Sequence, residues 1–201
     1  MNIRPETEKD YFENENLTRE AFWDVYRPGC SEHLVLHDLR SSAAFIKELD
    51  LVAEENGKLV GNIAYAKMYR DGVMCDDIIG FGPVSVLPEM QKKGIGSKLI
   101  NESLQMAKEM GFKAVMITGN PDYYSKFGFV SASSFDVHLS GVPVEDEAPF
   151  FMALELEKGF LSAHSGVYDF DGKYNVSDTE LEEFEKLFPP KIKREPREGD
   201  L

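Results

Sequence analysis

Residues 84–110 read VSVLPEMQKKGIGSKLINESLQMAKEM. A β-branched run stops at Pro88, and a loop with glycines at positions 94 and 96 follows. Leu99, Ile100, Ser103, Leu104, Ala107 and Met110 then recur at the spacing of one helix face, up to Gly111. A helix start leaves several backbone N–H groups without intrahelical partners, and its dipole adds partial positive charge there. Gly94 and Gly96 present no Cβ, so a ligand can approach that backbone closely. Lys92 and Lys93 add positive charge. The segment therefore reads as an anion site suited to a phosphate or pyrophosphate. Two nucleotide motifs fail on inspection. A P-loop needs Gly-Lys-Ser/Thr, whereas the chain has Gly96-Ser97-Lys98, and Leu99 stands where the third glycine of G-x-G-x-x-G belongs. On the loop alone, a plain helix-starting turn stays open as well.

Upstream, residues 2–5 read as a short strand. Thr7 can cap a helical stretch running through Tyr11, Phe12, Leu17, Ala21, Phe22 and Val25, which Arg27-Pro28-Gly29 breaks. A second helix is expected over 41–49, with Ala44, Phe45 and Leu49 inward. Two β-rich runs, 50–55 and 58–69, flank Asn56-Gly57, the strongest short-range hairpin signal, and Asp71-Gly72 turns the chain again. The run 78–87 (IIGFGPVSVL) reads as a strand whose internal Gly80, Gly82 and Pro83 imply a bulge or a splayed edge.

Downstream, 113–118 is a strand, Gly119-Asn120-Pro121-Asp122 opens a short helix over 123–127, and Gly128-Phe129-Val130 leads into another strand. The segments 137–139 and 150–156 read as the last strands. Ser177-Asp178-Thr179-Glu180 has the form of a capping box for a terminal helix reaching Phe188, which Pro189-Pro190 stops. The charged residues after it read as a frayed tail. This order of elements describes an α/β sandwich with a mixed sheet.

The totals narrow the function classes. A chain of 201 residues with 42% hydrophobic and 29% charged residues is an ordinary globular composition. No apolar run approaches bilayer length, and Met1-Asn2-Ile3-Arg4-Pro5-Glu6 lacks a signal-peptide layout, so a cytoplasmic protein is expected. Cys30 and Cys75 are distant in sequence, which argues against a disulfide framework or a thiolate metal site. A formal net charge of −14 argues against nucleic acid and anionic membrane as partners. His33 and His37 have the i, i+4 spacing of a helical metal pair, but no third ligand is evident nearby and no metal is expected.

Two motifs, in order, add a resemblance. Gln91-x-x-Gly94-x-Gly96 after Val86-Leu87-Pro88 resembles the Q/R-x-x-G-x-G/A loop of the GNAT superfamily of N-acetyltransferases. Tyr124-Ser125-Lys126-Phe127-Gly128-Phe129 resembles that superfamily's Y-x-x-x-G-F element, at the usual separation. With Gly82-Pro83-Val84-Ser85 and Tyr123-Tyr124, the chain looks like a subgroup of predicted bacterial acetyltransferases. The resemblance covers roughly residues 1–156. It implies a GNAT-like α/β fold: a mixed, mostly antiparallel central sheet with two splayed parallel strands, flanked by helices. Residues 1–157 would form the acetyltransferase domain and 158–201 a C-terminal extension with the terminal helix and tail.

The resemblance further implies acetyl-CoA as acyl donor, bound where the strand ending at Leu87 parts from the strand 113–118. Val84, Ser85 and Val86 would pair with the pantetheine arm. The pyrophosphate would sit on the amides of Gln91, Lys92, Lys93, Gly94, Ile95, Gly96 and Ser97, and Asn120 would contact the CoA arm. Tyr124 would be the catalytic group at the leaving thiolate, with Tyr123 as its neighbouring alternative. A backbone N–H at Val84 or Val86 would serve the oxyanion. The reaction is transfer to a primary amine of a small molecule or peptide, by direct attack in a ternary complex. The alternative is a non-catalytic acyl-CoA-binding regulatory module. No carboxylate lies inside 78–87; Asp76 and Asp77 flank its start and would act as base only through water. Phe12, Phe22, Trp23 and Tyr26 fall where family members build the acceptor pocket. Such proteins are often dimers, so the resemblance allows a homodimer.

Overall fold

The computed structural model describes residues 1–200. Strand β1 (Asn2–Pro5) leads to helices α1 (Tyr11–Phe22) and α2 (Glu32–Leu39). Strands β2 (Leu51–Glu55), β3 (Lys58–Arg70) and β4 (Val73–Val86) follow as a meander. Both of its turns have left-handed central residues: Asn56 and Gly57 at φ 53° and 75°, and Asp71 and Gly72 at φ 51° and 76°. That geometry matches the right-handed twist of the paired strands and explains Asn-Gly and Asp-Gly at those sites. Helix α3 (Ile95–Glu109), strand β5 (Ala114–Thr118), the short helix α4 (Pro121–Tyr124) and strands β6 (Val130–Ser131), β7 (Val137–Leu139), β8 (Phe151–Glu155) and β9 (Gly166–Asp169) complete the sheet, before helix α5 (Asp178–Glu185).

The strands run in the order β1-β2-β3-β4-β5-β8-β6, with β9 bridging β3 and β7. β4–β5 and β7–β9 are the parallel pairs. Helix α3 buries Ile95, Leu99, Ile100, Leu104 and Ala107 on one face of the sheet, against Ile63, Phe81, Val115 and Ile117. Each fully buried Leu or Ile contributes about 1.5–3 kcal/mol. Helices α1 and α2 cover the other face, and α5 packs on α2 from outside. Among the described residues no helix is long and apolar enough to cross a membrane.

Two expectations need correction. The helix expected over 41–49 is absent, apart from one turn at Lys47–Leu49. The chain there lies along β3 instead, with Ile46 N–H on Tyr65 O and Lys67 N–H on Ala44 O. The second helix lies earlier, at Glu32–Leu39, and places Leu34, Val35, Leu36 and Leu39 in the interior. Met110 is exposed beyond the end of α3. The segment after 158 contributes β9 to the sheet, and Leu161 and Tyr168 to the same core as Met116 and Phe151.

The predicted capping box is present: Ser177 accepts from Glu180 N–H, and Glu180 accepts from Ser177 N–H. Behind it, Glu185 holds Arg19 of α1 through Nε at 3.0 Å and Nη2 at 2.7 Å. Arg19 is 1% exposed and also lies 4.4 Å from the Trp23 ring centre. The residues beyond α5 pack back on α1. Lys191 bonds Glu20, Trp23 Nε1 donates to Ile192 O, and Arg194 bonds both Asp24 and Asp200.

A buried polar cluster ties β1 and β2 to the helices. Arg40 and Asn14 donate to Glu6, and Arg40 also pairs with Glu15. Asp50 is 3% exposed beside Glu6. Burial, followed by the Glu6 hydrogen bond and charge, pushes its carboxyl up to about 9 against the partial relief of Arg40, with Asp10 adding to the rise. A raised carboxyl means the folded state holds a proton the unfolded chain releases. The stability it carries is full below the ordinary aspartate range and is lost as pH rises through the raised value. Asp50→Asn keeps a donor toward Glu6 without a titratable proton. Thermal melts should show the native protein losing several degrees between pH 5.5 and 8.5 and the variant losing little; parallel curves for the two would refute this.

Candidate acyl-transfer site

Strand β4 pairs in parallel with β5 only at Ile78, Ile79 and Gly80. Beyond that point the two strands part. On its other edge β4 pairs with β3, and the register skips from Tyr65↔Phe81 to Ile63↔Val84, leaving Gly82 and Pro83 as a bulge. The internal glycines and proline read from the sequence thus mark the place where the strand changes partners.

The phase of the pairing decides what β4 offers to the gap. Leu87 N–H donates to Val60 O of β3 at 3.1 Å. In an antiparallel ladder the inward-bonding residues alternate, so Ser85 also turns its backbone to β3, opposite Asn62. Val84 and Val86 then aim their N–H and C=O groups the other way, into the gap. Gln91 confirms this geometry by donating from Nε2 to Val86 O at 3.1 Å. Ser85 is turned from the gap in its side chain too: it is 1% exposed and its hydroxyl donates to Thr18 of α1 at 3.3 Å.

The gap opens at the loop before α3. Gly94 is the N-cap residue at φ 85° and ψ 0°, and no side chain among the described residues caps the helix. A left-handed N-cap suits glycine. Lys98 N–H bonds Gly94 O, so the N–H groups of Ile95, Gly96 and Ser97 are the unpartnered first turn. Ile95 buries its side chain in the core and fixes the turn, while Gln91, Lys92 and Lys93 are exposed around it. Lys92 is left-handed at φ 61°. A Cβ added at Gly96 would lie 3.2 Å from Tyr123 Oη and 3.6 Å from Val86 Cγ2, a tight fit that a small shift of the Tyr123 ring would relieve.

Helix α4 forms the opposite wall. Asn120 caps it by accepting from Asp122 N–H at 2.9 Å, a local role for its carbonyl oxygen. Tyr124 packs edge-on or tilted against Phe81, Phe129 and Tyr123. A Cβ at Gly119 would fall 2.3 Å from Tyr124 Cε2, so the glycine makes space for that ring. Burial, with smaller contributions from Tyr123 and Tyr26, pushes the Tyr124 phenol above its ordinary value. It is therefore a neutral proton donor near pH 7. Tyr123 reaches across toward Gly96 instead, with Lys126 Nζ 3.9 Å from its ring centre.

The remaining candidates separate. Tyr26 is near enough to Tyr124 to influence it, and Phe22 lies 6.1 Å from Tyr26. Phe12 instead stacks on Phe188 at 5.2 Å, and Trp23 faces the C-terminal tail. Asp76 is paired with Lys67 at 2.8 Å. Asp77 lies at the far end of β4, roughly 17 Å from Gly82 at the rise of an extended strand. His33 and His37 have separate partners: His33 contacts Cys30 Sγ at 3.6 Å and Glu185 at 2.8 Å, and His37 bonds Glu15. Burial lowers His33 to about 4 despite Glu185. Sequence reasoning missed the inward roles of Arg19, Glu6 and Asp50, whose partners are distant in the chain.

A sheet that parts over an open helix start in this way is the architecture of an acyltransferase. The sequence profile of the Acetyltransferase (GNAT) family matches residues 10–129, more than half of the chain, and the chain belongs to that family. It is 27% identical over 148 residues to the uncharacterized N-acetyltransferase YhbS of Escherichia coli strain K12, covering 72% of this chain and 84% of that protein. The crystal structure of the Escherichia coli GNAT family N-acetyltransferase YhbS in complex with CoA superposes with a TM-score of 0.77 at 25% identity, over 87% of this chain and 92% of that one. A GNAT family acetyltransferase from Brucella melitensis in complex with acetyl-CoA gives a TM-score of 0.69 at 29% identity, over 87% and 97%.

Proposed function

We propose that the chain moves an acetyl group from acetyl-CoA to a primary amine of a small molecule or peptide, by direct attack in a ternary complex. The observation that carries this reading is the outward phase of Val84 and Val86, which turns their backbone N–H and C=O groups into a gap that ends on the open start of α3, with Val86 O bonded there by Gln91. The complexes of the two similar proteins with CoA and acetyl-CoA support the same donor.

The residues fit such a donor. The first-turn amides of α3, with Lys92 and Lys93 beside them, would take the diphosphate. Val84 and Val86 would bond the amide groups of the pantetheine arm as an added strand does. Acetyl-CoA supplies an activated thioester carbonyl, and the amine nitrogen forms the new C–N bond as the C–S bond breaks. A β4 N–H facing the gap would stabilise the oxyanion. Tyr124 would hydrogen-bond or protonate the departing sulfur, consistent with its raised phenol. With Asp76 and Asp77 at the far end of β4, the amine proton would leave through water.

The deciding test is calorimetric titration of the purified protein with acetyl-CoA, with desulfo-CoA as the control. Micromolar binding is the expected result. An absence of binding at millimolar ligand would overturn the assignment of the loop 91–96.

A further inference from the structure

We infer that the segment following β9, which lies outside the region matched by the family, is part of the transfer site, and that Tyr174 is a positioning residue holding the bulged edge of β4. The inference rests on the reading of the gap given above.

Gly82 lies where β4 has left β5 and where its register with β3 is broken. The hydroxyl of Tyr174, 92 positions away in sequence, donates to Gly82 O at 2.9 Å. It bonds the carbonyl that the bulge releases from the ladder. Gly80 opens the surface of β4 beside this contact: a Cβ there would sit 2.9 Å from Phe170 Cε1, whereas one at Gly82 would make an ordinary contact with Tyr174 Cε1 at 3.6 Å. Phe170 in turn packs against Tyr174, with ring centres 5.3 Å apart.

The segment is anchored on both sides of Tyr174. Asp171, 6% exposed, accepts from Ser42 Oγ at 2.7 Å, Tyr69 Oη at 3.2 Å and Lys173 N–H at 2.8 Å. After it, α5 is fixed to α1 by the Glu185–Arg19 pair. Burial, and secondarily the Asp171 charge, raises the Tyr174 phenol, so it stays a donor at neutral pH. Val84 follows Gly82 by two residues. The Gly82 carbonyl bond therefore steadies the bulge through which the strand enters the stretch whose Val84 and Val86 amides face the gap.

The test compares Tyr174→Phe with Tyr69→Phe, since each removes one hydroxyl bond from the same segment and keeps the ring. Amide hydrogen exchange of the peptide 81–87 and calorimetric binding of acetyl-CoA are measured on both variants and on the native chain. Y174F should speed exchange in 81–87 at least tenfold and weaken acetyl-CoA binding about as much. Y69F should change either by less than threefold, at a similar loss of melting temperature. Unchanged exchange and affinity in Y174F, or equal losses in Y69F, would overturn the proposal. If the native chain binds no acetyl-CoA, the reading of the gap fails, and the exchange result still decides whether Tyr174 holds the strand.

Discussion

Gly96→Val is expected to abolish acetyl-CoA binding while the protein stays folded. The position is helical and has negative φ, so the backbone tolerates a side chain there. The crevice is tighter, because the first added carbon already falls 3.2 Å from Tyr123 Oη. Two further methyl groups would fill the space above the amides of Gly96 and Ser97. Hydrogen bonds to a charged acceptor contribute about 1.5–3 kcal/mol each. Loss of two corresponds to at least about 100-fold in affinity. Calorimetry, paired with a thermal melt to confirm folding, reads the outcome. An affinity within threefold of the native value would mean that the diphosphate does not use this turn.

The second large effect is expected at Tyr124→Phe. The ring and its contacts with Phe81 and Phe129 survive this change, and only the hydroxyl is lost. A positioned general acid contributes typically 10²–10⁴-fold, so kcat should fall by about that factor while acetyl-CoA affinity moves by less than about threefold. Once an amine acceptor is found, steady-state kinetics with calorimetry separate the two quantities. Unchanged turnover would remove Tyr124 from the leaving-group role, and the same measurement on Tyr123→Phe would then test its neighbour.

What the sequence made legible was mostly local. Asn56-Gly57 and Asp71-Gly72 locate both hairpins, because left-handed turn positions restrict residue choice strongly. Gly94, left-handed at the N-cap, locates the helix start for the same reason. Helix α2 was hidden because eight residues with apolar side chains at 34, 35, 36 and 39 show little face periodicity. Its burial comes from β3 on one side and α5 on the other. The stretch 41–49 was apolar enough for a helix, but turns at 41–45 and the bonds of Ala44 and Ile46 to β3 replace helical pairing there. The direction of Ser85 follows from the phase of β4 against β3, which depends on a one-residue bulge and on Leu87 meeting Val60. The change of composition after residue 158 suggested an appendage. Arg19–Glu185 and Tyr174–Gly82 are among the contacts that bind that segment into the body instead, and each acts across more than ninety positions.

The Arg19–Glu185 pair has a consequence for the timing of synthesis. The burial of that guanidinium, 1% exposed, is completed by residues made long after it: Phe188 lies 5.5 Å from it, and its carboxylate stands 166 positions later. Until α5 has been made, Arg19 therefore stays hydrated on the open side of α1. The β2–β3–β4 meander, joined by two tight turns, can assemble much earlier. The anion-binding loop can therefore take shape on a nascent chain, while closure of the opposite face waits for α5.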